Sequence, residues 1–190
     1  GGDGLVTLPQ LRALHRRYSD LVVLHIDAHT DTYPGDGEYE HQRYNTATTF
    51  TRAAEEGLID TRQSFHIGAR GTVTVPGVFE HTREMGYRLI DGAALYARGF
   101  GSVLSEVHKI LADKPVYLCF DMDFFDPSDR ETARHFGRSP SERPTPRSEI
   151  GSGFWCPLRG FLCITCSVSQ HHAHSSTSWN SCLSYTFPNP

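Results

Sequence analysis

The chain has 190 residues, of which 38% are hydrophobic and 21% charged, the balance of one ordinary globular domain. Its formal net charge of −4 at pH 7 gives no reason to expect a nucleic acid or an anionic membrane as partner. No apolar stretch reaches the roughly 18 residues of a membrane span, so a membrane protein is not expected.

Further expectations come from the cysteines and from the first residues. The five cysteines are odd in number and unevenly spaced, which argues against a secreted disulfide framework and predicts a cytoplasmic protein. The opening residues, GGDGLVTLP, lack the basic and apolar regions of a signal peptide. Because the first of them is Gly and not Met, we expect the true N-terminus to be missing.

Helical and strand patterns alternate along residues 1–128. Leu8, Leu11 and Leu14 recur at helical spacing and precede LVVLHI (21–26), an unbroken apolar run typical of a strand buried on both faces. Similar patterns predict helices over 45–57, 76–86 and 103–111, and strands over 64–69, 87–91 and 116–120. This alternation predicts an α/β domain with a parallel sheet, in which ligands bind beyond the carboxyl ends of the strands.

The composition changes after Ser128. Residues 129–190 are rich in Ser and Pro, hold four of the five Cys and contain no Lys. We therefore predict two segments: an α/β domain over 1–128, and a tail over 129–190 that is disordered or foreign to that domain. Our hypothesis for the tail is out-of-frame translation or a wrong junction.

Two acidic clusters follow predicted strands, DAHTD at 27–31 and FDMDFFDP at 120–127. Side chains two residues apart in an extended chain point the same way, so the ionisable groups of each cluster should converge. Such oxygen-rich ligands suit Mn²⁺ or Mg²⁺ better than zinc, and more than four of them indicate two metals about 3.5–4 Å apart. The alternative is that each cluster is a solvated strand end or a helix N-cap. The candidate ligands are Asp27, His29, Asp31, Asp121 and Asp123.

Motifs across nearly all of residues 1–128 resemble the agmatinase/arginase family of ureohydrolases. They are GGD (1–3), HIDAHTDTY (25–33), EEGLID (55–60), HIGARG (66–71) and CFDMDFFDPS (119–128). The resemblance implies a three-layer αβα fold, here incomplete at both ends, and a centre of two Mn²⁺ per subunit. In that family a metal-bridging hydroxide attacks a guanidinium carbon and releases urea and an amine.

The agmatinase branch is the most similar, which implies hydrolysis of agmatine to putrescine, a step of polyamine biosynthesis, or of a related guanidino acid. It also implies a homo-oligomer for an intact member. Carried over by position, the five candidate ligands become manganese ligands, and Asp31 or an outer carboxylate, Asp126, orients the attacking water. His41 is the candidate catalytic histidine, with an exposed loop position as its alternative.

Three departures from the family pattern keep other functions open. Gly4 stands where the family has a ligand His, Thr46 stands where its substrate loop has a catalytic His, and residues 129–190 offer no Glu assignable to the guanidinium. We expect His25 to point away from Asp27, as a core or supporting residue. The chain is thus a manganese ureohydrolase, an impaired member or fragment that binds metal without turnover, or a zinc amide deacetylase on a related fold.

Overall fold

A parallel sheet forms the centre of the computed structural model, which describes residues 3–35, 43–70, 73, 75–125 and, by backbone alone, 164–167. Its strands run in the order β3-β2-β1-β4-β5, and every neighbouring pair is parallel. The bounds are β1 (Val22–Ile26), β2 (Phe65–Ile67), β3 (Arg88–Ile90), β4 (Val116–Asp121) and β5 (Ile164–Ser167).

In the described part of the chain five α-helices accompany these strands: α1 (Thr7–His15), α2 (Thr49–Glu55), α3 (Val78–Glu84), α4 (Gly92–Arg98) and α5 (Phe100–Leu111). The predicted helices and strands are confirmed; α2, α3, β2 and β3 are shorter than predicted, whereas α5 and β4 are longer. Helix α4 is not predicted, because its sequence, GAALYAR, is too short to show a helical apolar repeat. Among the described residues, none of the helices has the length and apolarity needed to cross a membrane.

Helices cover both faces of the sheet. On one face Val23 and Tyr117 pack with Leu11 of α1 and Phe50 of α2. On the other face the neighbouring β1 residues, Val22 and Leu24, pack with α5. The apolar run of β1 is unbroken because alternate side chains enter two different cores. The predicted three-layer αβα arrangement is thereby confirmed.

Strand β5 belongs to the segment after residue 128. Its backbone pairs in parallel with β4, with Ile164 opposite Leu118. The other residues of 129–190 lie outside the described part of the chain. The boundary at 128 and the origin of the tail therefore stay predictions.

The register of the sheet brings two acidic positions to the same edge. Ile26 of β1 is paired with Phe120 of β4, so the residues that follow, Asp27 and Asp121, leave the sheet side by side. Both are almost fully buried, each with 4% of its surface exposed. The carboxyl ends of β1 and β4 therefore form the edge at which a ligand site is expected.

Gly68 allows the end of β2 to approach that edge closely. Its φ is +100°, and a Cβ built on it would lie 2.4 Å from the ring of Phe124 and 3.1 Å from the backbone oxygen of Asp27. Its N–H donates to the carbonyl oxygen of Ile90 at 2.8 Å. A residue with a side chain would both strain the backbone and displace the loop after β4.

Replacing Gly68 by Ala is expected to lower the free energy of unfolding by about 2–4 kcal/mol, from unfavourable backbone and overpacking together. Gly57→Ala is the matched control, since Gly57 also has a positive φ, +65°, but nothing within 4 Å of its built Cβ. That control should lose only about 1 kcal/mol. Urea denaturation measures both losses, and equal losses would contradict the packing argument.

Candidate metal centre

Asp27, His29 and Asp123 form the accessible part of the acidic cluster. Each offers one donor atom, and the three atoms lie within 4.8 Å of one another. His29 Nδ1 is 3.3 Å from Asp27 Oδ1 and 3.0 Å from Asp123 Oδ2. The side chain of His29 is 31% exposed and that of Asp123 26% exposed, so this group faces solvent on one side. Two carboxylates and an imidazole in this arrangement provide three ligands for a cation.

Asp31 joins Asp27 on the inner side of the cluster. The donor atoms of Asp31, Asp27 and His25 also lie within 4.8 Å of one another. Asp31 has a φ of +51°, a left-handed conformation that Asp tolerates better than most residues, and its carbonyl oxygen accepts the N–H of Phe50 at 3.0 Å. The predicted proximity is present, but a turn after the end of β1 produces it, and not the extended chain that we expected.

Asp121 has a different position from the other candidate ligands. Its carboxylate accepts the backbone N–H of Asp123 at 3.0 Å and caps the short 3₁₀ turn Met122–Phe124. Within the described ranges, two groups of three donors are compact enough for an ion, and Asp121 is in neither. Its role as a metal ligand therefore stays a prediction.

The remaining two candidate residues, His41 and Asp126, lie outside the described residues. Their proposed roles in orienting water and in proton transfer stay predictions as well.

Arg70 ties together the two loops that carry the cluster. Its Nη2 donates to the backbone oxygens of Asp123 at 2.8 Å and Phe125 at 3.0 Å. Its backbone N–H donates to the carbonyl oxygen of Ala28 at 2.8 Å. The N–H of Ala28 in turn donates to Asp123 Oδ1 at 3.1 Å. The sequence reasoning missed this residue, although its place just beyond β2, at the same sheet edge, was a usable signal.

His25 does not point away from Asp27, and that expectation is wrong. Its Nε2 lies 2.9 Å from Asp27 Oδ2, with both side chains buried. Positions two apart on a strand share a face, so correct use of the alternation rule predicts this contact. His25 supports the Asp27 carboxylate from behind.

Gly4 and Thr46, the two departures from the family pattern, lie in contact. A Cβ built on the buried Gly4 would be 2.8 Å from Thr46 Cγ2 and 3.5 Å from Asp31 Oδ2. Thr46 Oγ1 donates to Asp3 Oδ1 at 2.6 Å, which fixes the position of its methyl group. A side chain at residue 4 would thus begin beside Asp31, in space that Thr46 restricts.

The electrostatics of the cluster show an excess of negative charge. Burial raises the pKa of Asp31 to about 7; the nearby carboxylates of Asp27 and Asp121 add to that rise, which His25 and His29 oppose. Hydrogen bonds with Asp123 and Asp27 raise the pKa of His29 to about 10, against the effect of its burial. Protons thus supply the positive charge that these carboxylates require, and the donor set fits a hard divalent cation.

Burial alone would raise the pKa of Asp27, but the charge and hydrogen bond of His25 hold that pKa well below its usual range. Asp27 is therefore ionised, as a carboxylate ligand must be.

Comparisons with known proteins indicate the family of this chain. Residues 1–130 match the sequence profile of the Arginase family. Over 128 residues the chain is 38% identical to the agmatinase of Citrobacter koseri and 39% identical to that of Salmonella newport; in each case the match covers 67% of this chain and 38% of the relative. The chain thus spans well under half the length of these relatives.

A solved structure has a similar fold over the same part of the chain. The proclavaminate amidino hydrolase of Streptomyces clavuligerus superposes with a TM-score of 0.61 at 32% identity, over 67% of this chain and 42% of that protein. The matched part of the chain therefore has the fold of the corresponding part of that enzyme.

Binding of Mn²⁺ to this site is expected to release protons. At pH 7 His29 is protonated and Asp31 about half protonated, and each must lose its proton to become a ligand. Lowering the pH favours the protonated forms, so Mn²⁺ affinity should fall by about tenfold or more per unit between about pH 8 and 6. Calorimetry in buffers of different ionisation enthalpy should show that about one to two protons are released per chain when Mn²⁺ binds. A pH-independent affinity would contradict the assignment of these ligands.

Proposed function

The chain belongs to the arginase family, and on that basis we propose that it is the metal-binding part of a hydrolase acting on guanidino compounds. Its matched relatives include agmatinases and a proclavaminate amidino hydrolase. Since the chain spans 38% of the length of those agmatinases, the activity belongs to the proposal and not to the family assignment.

The observation that carries this proposal is the group formed by Asp27, His29 and Asp123. Two carboxylates and one imidazole, partly open to solvent, are ligands typical of Mn²⁺, and neither donor group found among the described residues contains a thiol. Asp31, and Asp121 from β4, are proposed to complete the ligands of a second Mn²⁺. This donor chemistry and the family assignment support manganese over a thiolate zinc site.

When bound, divalent cations at these ligands would lower the pKa of a water molecule, so that hydroxide can attack a guanidinium carbon. The residues of this chain have three proposed tasks. His29 and the carboxylates would hold the ions; the Asp31 carboxylate, at the inner side of the cluster, would orient the water; and Arg70 keeps the two ligand loops in register. The products would be urea and an amine.

A second candidate function is metal binding without turnover. It is favoured by Gly4, which offers no ligand beside Asp31, and by Thr46, which packs against it. The zinc amide deacetylase is not proposed further, because the family assignment removes the reason for it.

The choice of substrate within the guanidino class, agmatine or a related guanidino acid, is a proposal supported by the names of the relatives. A homo-oligomer and a cytoplasmic location stay predictions.

The function is tested by urea release from agmatine, guanidinobutyrate, guanidinopropionate and arginine, each with and without added Mn²⁺. We expect Mn²⁺-dependent release from at least one of them.

Asp123→Asn should reduce kcat/KM by at least about 100-fold, since the loss of even an outer partner of a metal ligand lowers activity by 10–100-fold. Asp20→Asn is the control, because Asp20 is an exposed residue whose carboxylate lies 3.6 Å from Lys114 Nζ. If no compound releases urea while Mn²⁺ still binds, the second candidate function is correct.

A histidine at position 4 is expected to add a metal ligand only when Thr46 makes room for it. Gly4→His alone should cost about 1–3 kcal/mol of stability by overpacking against the Thr46 methyl. Thr46→Ser removes that methyl and retains the hydroxyl that donates to Asp3. The double variant should therefore regain stability and bind Mn²⁺ more tightly by at least about tenfold, a conservative value taken from outer-partner effects.

Thermal melts and Mn²⁺ titrations compare the wild type with Gly4→His, Thr46→Ser and the double variant. Thr46→Ser alone should change neither property. Equal stability of Gly4→His and the double variant would show that Thr46 does not restrict this space.

A further inference from the structure

Two buried imidazoles form a chain of hydrogen bonds behind the Asp27 carboxylate. His25 Nε2 is 2.9 Å from Asp27 Oδ2, and His25 Nδ1 is 2.9 Å from His66 Nδ1. The exposed fraction is 1% for His25 and 0% for His66. These hydrogen bonds therefore lead from the metal centre into the core between β1 and β2.

The sheet itself places these rings together. In the parallel register of β1 and β2, His25 is opposite His66. Phe50 and Tyr87 enclose the pair. The centroid of the Phe50 ring lies 4.6 Å from that of His25 and 5.1 Å from that of His66, and the centroid of the Tyr87 ring lies 4.6 Å from that of His66. The Tyr87 hydroxyl donates to the Phe50 carbonyl oxygen at 2.7 Å, which holds the enclosing side chains in place. The orientation of the His66 ring is thus fixed by packing on several sides.

The hydrogen-bond inventory shows which atom of His66 matters. A bond between two Nδ1 atoms needs one donor and one acceptor, so His66 Nδ1 must take the role that complements that of His25 Nδ1. His66 Nε2, by contrast, is buried without a hydrogen-bond partner among the described residues. A phenyl ring could fill this space without leaving a buried nitrogen unpaired, so packing alone does not account for a histidine here.

We propose that His66 is a positioning residue of the metal centre, which acts through His25 to fix the orientation of the Asp27 carboxylate. His66 holds the His25 ring by Nδ1, and His25 holds Asp27 Oδ2 by Nε2. Asp27 Oδ1 is then directed towards His29, where the donor atoms of the accessible group meet. This inference rests on the proposed metal site at Asp27.

Three variants of the full chain separate the hydrogen bond from the packing. His66→Asn retains a hydrogen-bonding atom near the position of Nδ1, His66→Gln retains one near Nε2, and His66→Leu retains neither. Each is titrated with Mn²⁺ alone at one fixed pH, by calorimetry and by the electron paramagnetic resonance signal of free Mn²⁺. The melting temperature without metal is measured beside each titration.

We expect His66→Gln and His66→Leu to weaken Mn²⁺ binding by about tenfold, the lower end of outer-partner effects. His66→Asn should bind Mn²⁺ as the wild type does, whatever its melting temperature. If His66→Leu does not fold, the comparison of Asn with Gln still decides, because both are polar amides.

Equal Mn²⁺ affinity of all variants that fold would overturn the positioning role and leave the proposed function intact. The positioning role would also be overturned if Mn²⁺ affinity decreased in the order of the melting temperatures, whether or not the variant retains an atom near the position of Nδ1. No Mn²⁺ binding by the wild-type chain would overturn the proposed metal site as well, so the two failures are distinguishable.

Discussion

Repulsion among the carboxylates at the ends of β1 and β4 is the constraint on which the site depends. At an effective dielectric constant of 20, two unit charges 4 Å apart interact by about 4 kcal/mol, which a fold cannot leave unopposed at several pairs. The protein offsets this repulsion with imidazoles: His29 lies between Asp27 and Asp123, and His25 lies behind Asp27. A bound cation would take over the role of the His29 proton, since a ligand imidazole is neutral. Either a proton or a metal ion is therefore needed to reduce the negative charge of the cluster.

The sheet can hold only the first residue of each acidic cluster, and other contacts must hold the rest. The pairing of β1 with β4 sets Asp27 beside Asp121, but the ladder ends there. Beyond it, Arg70 joins the two loops through backbone oxygens, and Phe50 at the start of α2 holds the turn at Asp31. Because these anchors come from different elements, the geometry of the site depends on the packing of α2 and β2 against β1 and not on the acidic motifs alone.

This division explains what the sequence could predict. The strands and the convergence of Asp27 with Asp123 follow from local apolar runs and from the rule that parallel strands end at one edge. The proposed support from His66 depends on β2 being the neighbour of β1, a long-range pairing that no local pattern shows, whereas Arg70 could have been noticed from its place just beyond a predicted strand. The left-handed turn at Asp31 is set by α2, so the assumption of an extended chain gave the right contact for the wrong reason.

The departures at Gly4 and Thr46 are one structural feature. The Thr46 methyl lies in the space next to the Gly4 backbone, so a larger residue at one position requires a smaller residue at the other. The hydrogen bond from Thr46 to Asp3 holds the Thr46 side chain, whose methyl lies where a side chain of residue 4 would begin. The accessible group around His29 takes none of its three donors from position 4. Metal binding at that group and catalysis that needs a second ion beside Asp31 are therefore separable properties of this fold, and the accessible group should fill first.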